Sequence, residues 1–292
     1  MHLEQLPGCG AKVAFSDEPQ SAAFLDALNN AAAGGAGLGD KTASALREGI
    51  ARHGLLVFPS MKNLSVSGHL HLTAVFGKPG AHPQRGKPPG LPCLEGTDCL
   101  VEVATNDPTS QYCSAQTRAD HWHADVTFSD RPPSYTSLLA KQLPGIGLGD
   151  TLWSSTSAAF DSLSPALQST VATLNAVHRD RSGLGCSATH PIVREIPLGG
   201  GQKSGAEGTE QQQRKKAALF VNDQFTSHID GWDAAESDPL MAFLRHRSTD
   251  PTFVYRHRWA VGDLVVWDNR QTLHHGVYDF GDAVRTKLVT VN

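Results

Sequence analysis

The stretch HWHADVTF, His121 to Phe128, carries the densest chemistry in the chain. Three groups able to bind a metal, His121, His123 and Asp125, alternate with Trp122, Ala124 and Val126. In a strand, successive side chains point to opposite faces, so two imidazoles and a carboxylate would share one face. The alternation alone does not choose between His121 and His123 as the partner of Asp125. A polar strand face bonded only to water is the competing reading in a chain with 14 histidines. A second cluster follows in DLVVWDNRQTLHHGVYDFGDAVRTKLVTVN, Asp263 to Asn292. There a buried-type strand, Leu264 to Trp267, runs into polar residues and then His274 and His275, either of which could supply a distal ligand. Surface turn residues are the competing reading for that pair. Two histidines and one carboxylate leave three positions of an octahedron open, which suits Fe(II) that must bind both O2 and a chelating cosubstrate.

The chain that must position these groups has 292 residues, of which 39% are hydrophobic and 18% charged, with a net charge of −4. That balance gives no reason to expect nucleic acid or an anionic membrane as partner, and leaves room for a homo-oligomer. The five cysteines are odd in number and none has CxxC spacing, which argues against a disulfide framework or a zinc ribbon. The opening MHLEQLPGCG lacks a basic segment followed by an apolar run, so no secretory signal is expected. With no apolar stretch near the roughly 20 residues that span a bilayer, a cytoplasmic, reducing location is expected.

Helical spacing predicts helices over Lys41 to His53, closed by Gly54, and over Leu64 to Phe76, with a short strand LLVF at Leu55 to Phe58 between them. Ser164 and Asp238, each followed by Pro, predict two more helix starts, running to Leu174 and Arg247. CLVEVAT, DVTF, YTSLLAKQL, DTLWSS, AALFVN, TFVYRHRW, DLVVWDN and TKLVTVN read as strands. Many short strands broken by Gly, Pro and Asp point to a mainly β fold with helical additions, built on a jelly-roll core. The expectation is a single domain over residues 1–292. It has a helical N-terminal part to about residue 80 and a flexible, Gly-rich insertion at about 198–216.

Several motifs in order then resemble the taurine dioxygenase family of Fe(II)- and 2-oxoglutarate-dependent oxygenases. WHADVTF resembles its first metal motif, and GDTLW (Gly149 to Trp153) follows at the family's spacing. HPIVR (His190 to Arg194), ALFVN (Ala218 to Asn222), Phe225-Thr226 and WDNRQTLH (Trp267 to His274) come next in the family's order, and Arg285 lies 11 residues after His274 (285 − 274). The resemblance implies a double-stranded β-helix, cupin-like, with iron held by His123, Asp125 and His274. It leaves His121 as a neighbour of the site and turns His275 away. It further implies that Arg285 grips the distal carboxylate of 2-oxoglutarate and that Thr151 adds a hydrogen bond. A planar guanidinium suits that role better than a lysine would. Fe(II), 2-oxoglutarate and O2 are the implied cofactors, with release of succinate and CO2. Because related halogenases lack the carboxylate that Asp125 supplies, hydroxylation is the implied outcome.

The resemblance weakens at the substrate. His82 matches the histidine that binds substrate in sulfonate-oxidising members, and Phe225 keeps an aromatic wall. Arg85 stands where an aromatic residue is expected, Ala119 where asparagine is, and Val289 where a second arginine is. The expected substrate is therefore a small to medium anionic organic molecule with its charged end near His82 and Arg85. Two competing readings use the same metal residues: a cupin-like hydrolase or isomerase that does not use 2-oxoglutarate, and a non-catalytic iron-binding protein.

Overall fold

The runs LLVF and LVVWD are apolar at almost every position because the sheet they build is buried on both faces. The computed structural model describes residues 1–31, 37–80, 100–104, 121–181, 185–198, 214–280 and 286–291. Along the chain the first half runs β1 (His2–Gln5), β2 (Ala11–Ala14), α1 (Glu18–Ala31), α2 (Asp40–His53), β3 (Leu55–Phe58), α3 (Val66–Ala74), β4 (Leu100–Ala104), β5 (Tyr135–Gln142), β6 (Thr151–Ser155), α4 (Thr156–Asp161) and α5 (Pro165–Val171). The second half runs β7 (Asn175–Arg179), β8 (Ser187–Pro191), β9 (Val193–Pro197), β10 (Lys215–Leu219), β11 (Thr226–Ile229), α6 (Ala234–Ser248), β12 (Val254–His257), β13 (Leu264–Asp268), β14 (Thr272–Gly276) and β15 (Thr286–Val291).

Seven strands form the main sheet in the order β1-β2-β3-β13-β5-β15-β4. All its pairs are antiparallel except β2 with β3. Alternation sorts its side chains into two cores. Leu56, Phe58, Leu139, Leu264 and Val266 face the helices and meet Phe24, Leu28, Leu46, Ile50 and Leu72. Leu55, Val57, Ala140, Val265 and Trp267 face the other way and meet Trp153 of β6 and Trp259. That second face is covered by the three-stranded sheet β12-β6-β14. A third cluster lies among α4, α5, β7, β10, β11 and α6, around Val171, Ile192, Leu219, Ile229 and Met241. The fold is thus mainly β with helical additions, as expected.

Local departures have identifiable causes. The first ten residues turn back at Gly8 and Gly10, both with positive φ, to pair β1 with β2, so the N-terminal part carries strands as well as helices. Helix α2 ends as the sequence predicts: Gly54 adopts φ 76° and donates its N–H to the Ile50 carbonyl at 2.8 Å. Helix α3 starts after Ser65, whose hydroxyl caps Gly68 N, and helix α5 starts after Ser164 but stops at Val171, short of Leu174. Helix α6 begins four residues before the predicted Asp238, because Asp233 and Glu236 form a reciprocal capping box that outcompetes the Asp238-Pro239 signal. Pro239 consequently sits inside the helix. At the ends of the 198–216 segment Leu198 N bonds Arg214 O, and Lys215 and Lys216 pair with Pro197 and Ile196 in the β9–β10 ladder. Residues 199–213 lie outside the described residues. Among the described residues no helix is long and apolar enough to cross a membrane.

Two buried histidines make acid stability predictable. His69 of α3 contacts Ser137 Oγ at 2.7 Å, and burial, helped by Lys141, pushes its pKa down to about 3. Burial, with His190, Arg194 and Arg245 nearby, does the same to His178 on β7. Their folded values lie below the unfolded one, so the unfolded chain binds more protons between pH ~6.5 and ~3. Their contribution is complete above pH ~6.5 and is lost as pH falls toward 3. Chemical denaturation at stepped pH should show a loss of up to roughly 1.4 kcal/mol per pH unit from each ring. The slope should lessen in His69→Leu; an unaltered slope would mean that this ring titrates freely.

Candidate active site

HWHADVTF is not a strand. Only His123 takes a ladder position, in an isolated antiparallel bridge with His274. The two residues exchange backbone bonds, His123 N to His274 O at 3.0 Å and His274 N to His123 O at 2.7 Å. Residues 125–128 then turn, with Val126 at φ 53° and Ser129 N bonded to Val126 O at 3.0 Å. A β-branched residue in this left-handed region is strained by about 1–3 kcal/mol, so its surroundings must hold it. They do so through Thr127, whose Oγ1 meets His178 Nδ1 at 2.9 Å and accepts from Asn222 Nδ2 at 3.2 Å. His190 Nε2 adds a bond to the Thr127 carbonyl at 2.9 Å.

This bridge and turn bring His123, Asp125 and His274 together, with one donor atom from each inside a 4.8 Å set. His123 donates Nδ1–H to the His121 carbonyl at 2.7 Å, which leaves its Nε2 lone pair for a metal. His121 is exposed and takes part through that carbonyl. His275, the next residue on β14, turns to the opposite face and packs against Trp122 at 5.5 Å. Burial lowers the pKa of His123 and pushes that of His274 down to about 3, the neighbouring His123 adding to the latter, which favours the neutral rings that metal ligation requires.

The carboxylate is held as firmly as the rings. Thr136 donates to Asp125 Oδ2 at 2.6 Å and accepts from Asn269 Nδ2 at 2.8 Å. Asn269 Oδ1 in turn accepts from Asp125 N at 3.1 Å and Trp267 Nε1 at 3.0 Å. The other carboxylate oxygen, Oδ1, faces His274 Nε2 at 3.6 Å, too long for a hydrogen bond. Two neutral imidazoles and a carboxylate that converge without bonding one another fit a divalent cation. Thr136→Val should weaken Fe(II) binding roughly 10–100-fold, the usual cost of losing a group that orients a ligand. Anaerobic iron titration measures this; unchanged affinity would mean that Asn269 alone positions Asp125.

Thr151 is buried at the start of β6, between Gly276 of β14 and His257 of β12. Its Oγ1 accepts from Trp259 Nε1 at 3.0 Å, so its own proton remains available to a carboxylate. Phe225 stands edge-on to His123, ring centroids 6.2 Å apart, and packs on Phe128 at 5.1 Å. It is therefore a wall of the metal site. His82, Arg85, Ala119 and Arg285 lie outside the described residues.

The family model for the taurine catabolism dioxygenase TauD, TfdA family matches residues 28–291. The chain belongs to this family. It is 27% identical over 270 residues to an alkylsulfatase of Acinetobacter baylyi, covering 85% of this chain and 75% of that one. It is 28% identical over 266 residues to an alpha-ketoglutarate-dependent sulfate ester dioxygenase of Pseudomonas putida, covering 84% and 78%. The fold is similar to the crystal structure of a taurine dioxygenase from Burkholderia xenovorans, with a TM-score of 0.74, 24% identity and coverage of 99% and 89%. The protein is an Fe(II)- and 2-oxoglutarate-dependent dioxygenase. A hydrolase or isomerase without 2-oxoglutarate, and a non-catalytic iron binder, are set aside accordingly.

For this dioxygenase, sequence reasoning missed the groups that hold the ligands. Asn269 and Trp267 lie within WDNRQTLH, where the motif was visible but the bonds to Asp125 were not. Thr136 and Trp259 carry no signal in sequence, since each becomes a partner only when distant strands meet.

Proposed function

We propose that this dioxygenase hydroxylates a small to medium anionic organic substrate through a centre held by His123, Asp125 and His274. The convergence of those three donors within 4.8 Å carries the reading. Bound Fe(II) and 2-oxoglutarate supply O2 activation, coupled to oxidative decarboxylation of the cosubstrate to succinate and CO2. The chain's own part is orientation. Asp125, fixed by Thr136, fills the position whose carboxylate implies hydroxylation. Thr151 offers its proton, and Arg285 its guanidinium, to the distal carboxylate of 2-oxoglutarate. Phe225, Trp267 and Trp153 surround the histidines with apolar surface that limits water. The single domain has a double-stranded β-helix core, acts in the cytoplasm without nucleic acid or membrane as partner, and has room to form a homo-oligomer.

The anionic class rests on the relatives that act on sulfate esters. The family resemblance alone puts the charged end near His82 and Arg85, as an expectation, with Phe225 as the aromatic wall. A buried sulfonate needs donors; Ala119 and Val289 remove two that would fit taurine, and Arg85 adds positive charge in place of an aromatic contact. Succinate release under air, screened across taurine, alkyl sulfates, phenoxyacetate and aliphatic acids, tests the reading. An alkyl sulfate or organic acid is expected to stimulate release well beyond taurine. Taurine as the best substrate would sink this specificity, and no stimulation by any anion would sink the anionic class.

A further inference from the structure

A cavity of about 460 Å³ shares Phe225 with the metal site and is lined by Arg179, Arg181, Arg245 and Gln224, together with Asp180 and Asp223. We infer that this cavity, rather than the loop of His82 and Arg85, receives the acidic end of the primary substrate. The inference rests on the anionic-substrate reading above and names the receiving residues.

The cavity is built onto the metal site. Asn222 Oδ1 accepts from Phe225 N at 2.7 Å, and its Nδ2 reaches Thr127 in the metal turn. Asp223 N bonds the carbonyl of Trp122, the residue before His123, at 3.1 Å. Arg179 N bonds the Phe225 carbonyl at 2.8 Å. A molecule whose carbon chain passes Phe225 would thus have one end at the metal ligands and the other among the arginines.

Two buried atoms point to a missing partner. Arg245 uses one terminal nitrogen on the carbonyls of Thr226, at 2.7 Å, and Ser227, at 3.4 Å. Its Nε is buried with no hydrogen-bond partner among the described residues, and so is Gln224 Oε1. Leaving a buried guanidinium N–H unmet is costly, and an anion's oxygen is the partner it lacks. Rotating the Gln224 amide by 180° would present an N–H to the same anion. Among the described residues Arg181 makes one long bond, 3.4 Å, to the Asp223 carbonyl, which leaves further donors of its guanidinium for a ligand. Three guanidinium groups against two carboxylates leave the fully ionised lining net positive. A cation has no advantage there, and a neutral chain gains nothing from the arginines.

The test uses the full chain with hexyl sulfate and hexanoate as probes, hexanol as neutral control, and both calorimetric binding and succinate release as readouts. Arg181→Ala, at an exposed position, is expected to raise Kd and KM for hexyl sulfate about two- to fivefold. Arg245→Gln, half-buried, should raise them roughly 10–100-fold, with Arg245→Lys restoring part of the loss. Binding of hexanol and 2-oxoglutarate should not change. Arg245 also props two carbonyls, so Arg179→Ala and Arg181→Ala decide whether the effect is charge recognition or a shifted Phe225. Unchanged hexyl sulfate binding in both of these overturns the inference, as does an Arg85→Ala variant that takes the whole loss. Failure of the wild type to bind either anion overturns it as well. Binding that weakens in the arginine variants without any succinate release supports the cavity and overturns oxygenation of these anions instead.

Discussion

Alanine at His123, Asp125 or His274 is expected to abolish turnover while leaving the fold standing. Each side chain is one of three converging donors, and an octahedral ion held by two protein groups is both weaker and misplaced. The loss should exceed the roughly 10–100-fold that follows from disturbing residues that only orient ligands. The fold should survive because the bridge between His123 and His274 is made by backbone atoms, which alanine retains. The two large cores on either side of the main sheet do not include any of the three residues. His121→Ala should keep iron, since His121 holds the His123 ring through its backbone carbonyl, which alanine keeps. Iron content after anaerobic reconstitution, beside circular dichroism, gives both answers. Loss of iron in His121→Ala with retention in His123→Ala would invert the assignment.

That contrast shows where the sequence was legible. Elements whose signal is local were read well. Gly54 ended α2 because only a left-handed residue terminates the helix there, and the apolar runs at Leu55 and Leu264 became strands buried on both faces. The grouping of His123, Asp125 and His274 was legible through family motifs, although the physical reason offered for it was wrong. Alternation along a strand does not align His123 with Asp125; a bridge and a strained turn at Val126 do. Nothing in HWHADVTF announces that turn, because it depends on Thr127 being gripped by His178 on β7 and by Asn222. The start of α6 was misread for a simpler reason. Two cap signals lay close together, and the one with a reciprocal Glu satisfies more backbone N–H groups than the one with Pro. The arginines around the cavity beside Phe225 were equally invisible, since Arg179 and Arg181 come from one hairpin and Arg245 from a helix far along the chain.

Arg285→Ala should weaken 2-oxoglutarate binding about 10–100-fold, the equivalent of losing a charge-assisted contact of roughly 1.5–3 kcal/mol. The chain leading to Arg285 leaves β14 beside the residues that precede Thr151. Val277 N bonds the Asp150 carbonyl at 2.8 Å, and Asp279 Oδ1 accepts from Gly149 N at 2.8 Å. The segment is therefore tied at its start to the strand that presents Thr151, whose hydroxyl proton is left available by Trp259. A dicarboxylate with one end at the iron ligands needs its other end neutralised, because an unpaired carboxylate in a buried site is very costly. On the proposed reading a guanidinium would do this with two parallel bonds and Thr151 would add a third, so the two losses should differ in size. Thr151→Val removes a neutral donor and should cost only about 0.5–1.5 kcal/mol, roughly a few-fold to tenfold in affinity. Arg285→Lys keeps the charge but not the fork, and should fall between wild type and Arg285→Ala. Binding of 2-oxoglutarate to the anaerobic, metal-loaded protein separates these effects from turnover. An Arg285→Ala protein that binds 2-oxoglutarate as tightly as wild type would assign the distal carboxylate to another residue. A loss confined to turnover would mean that Arg285 orients the bound cosubstrate and adds little to its affinity.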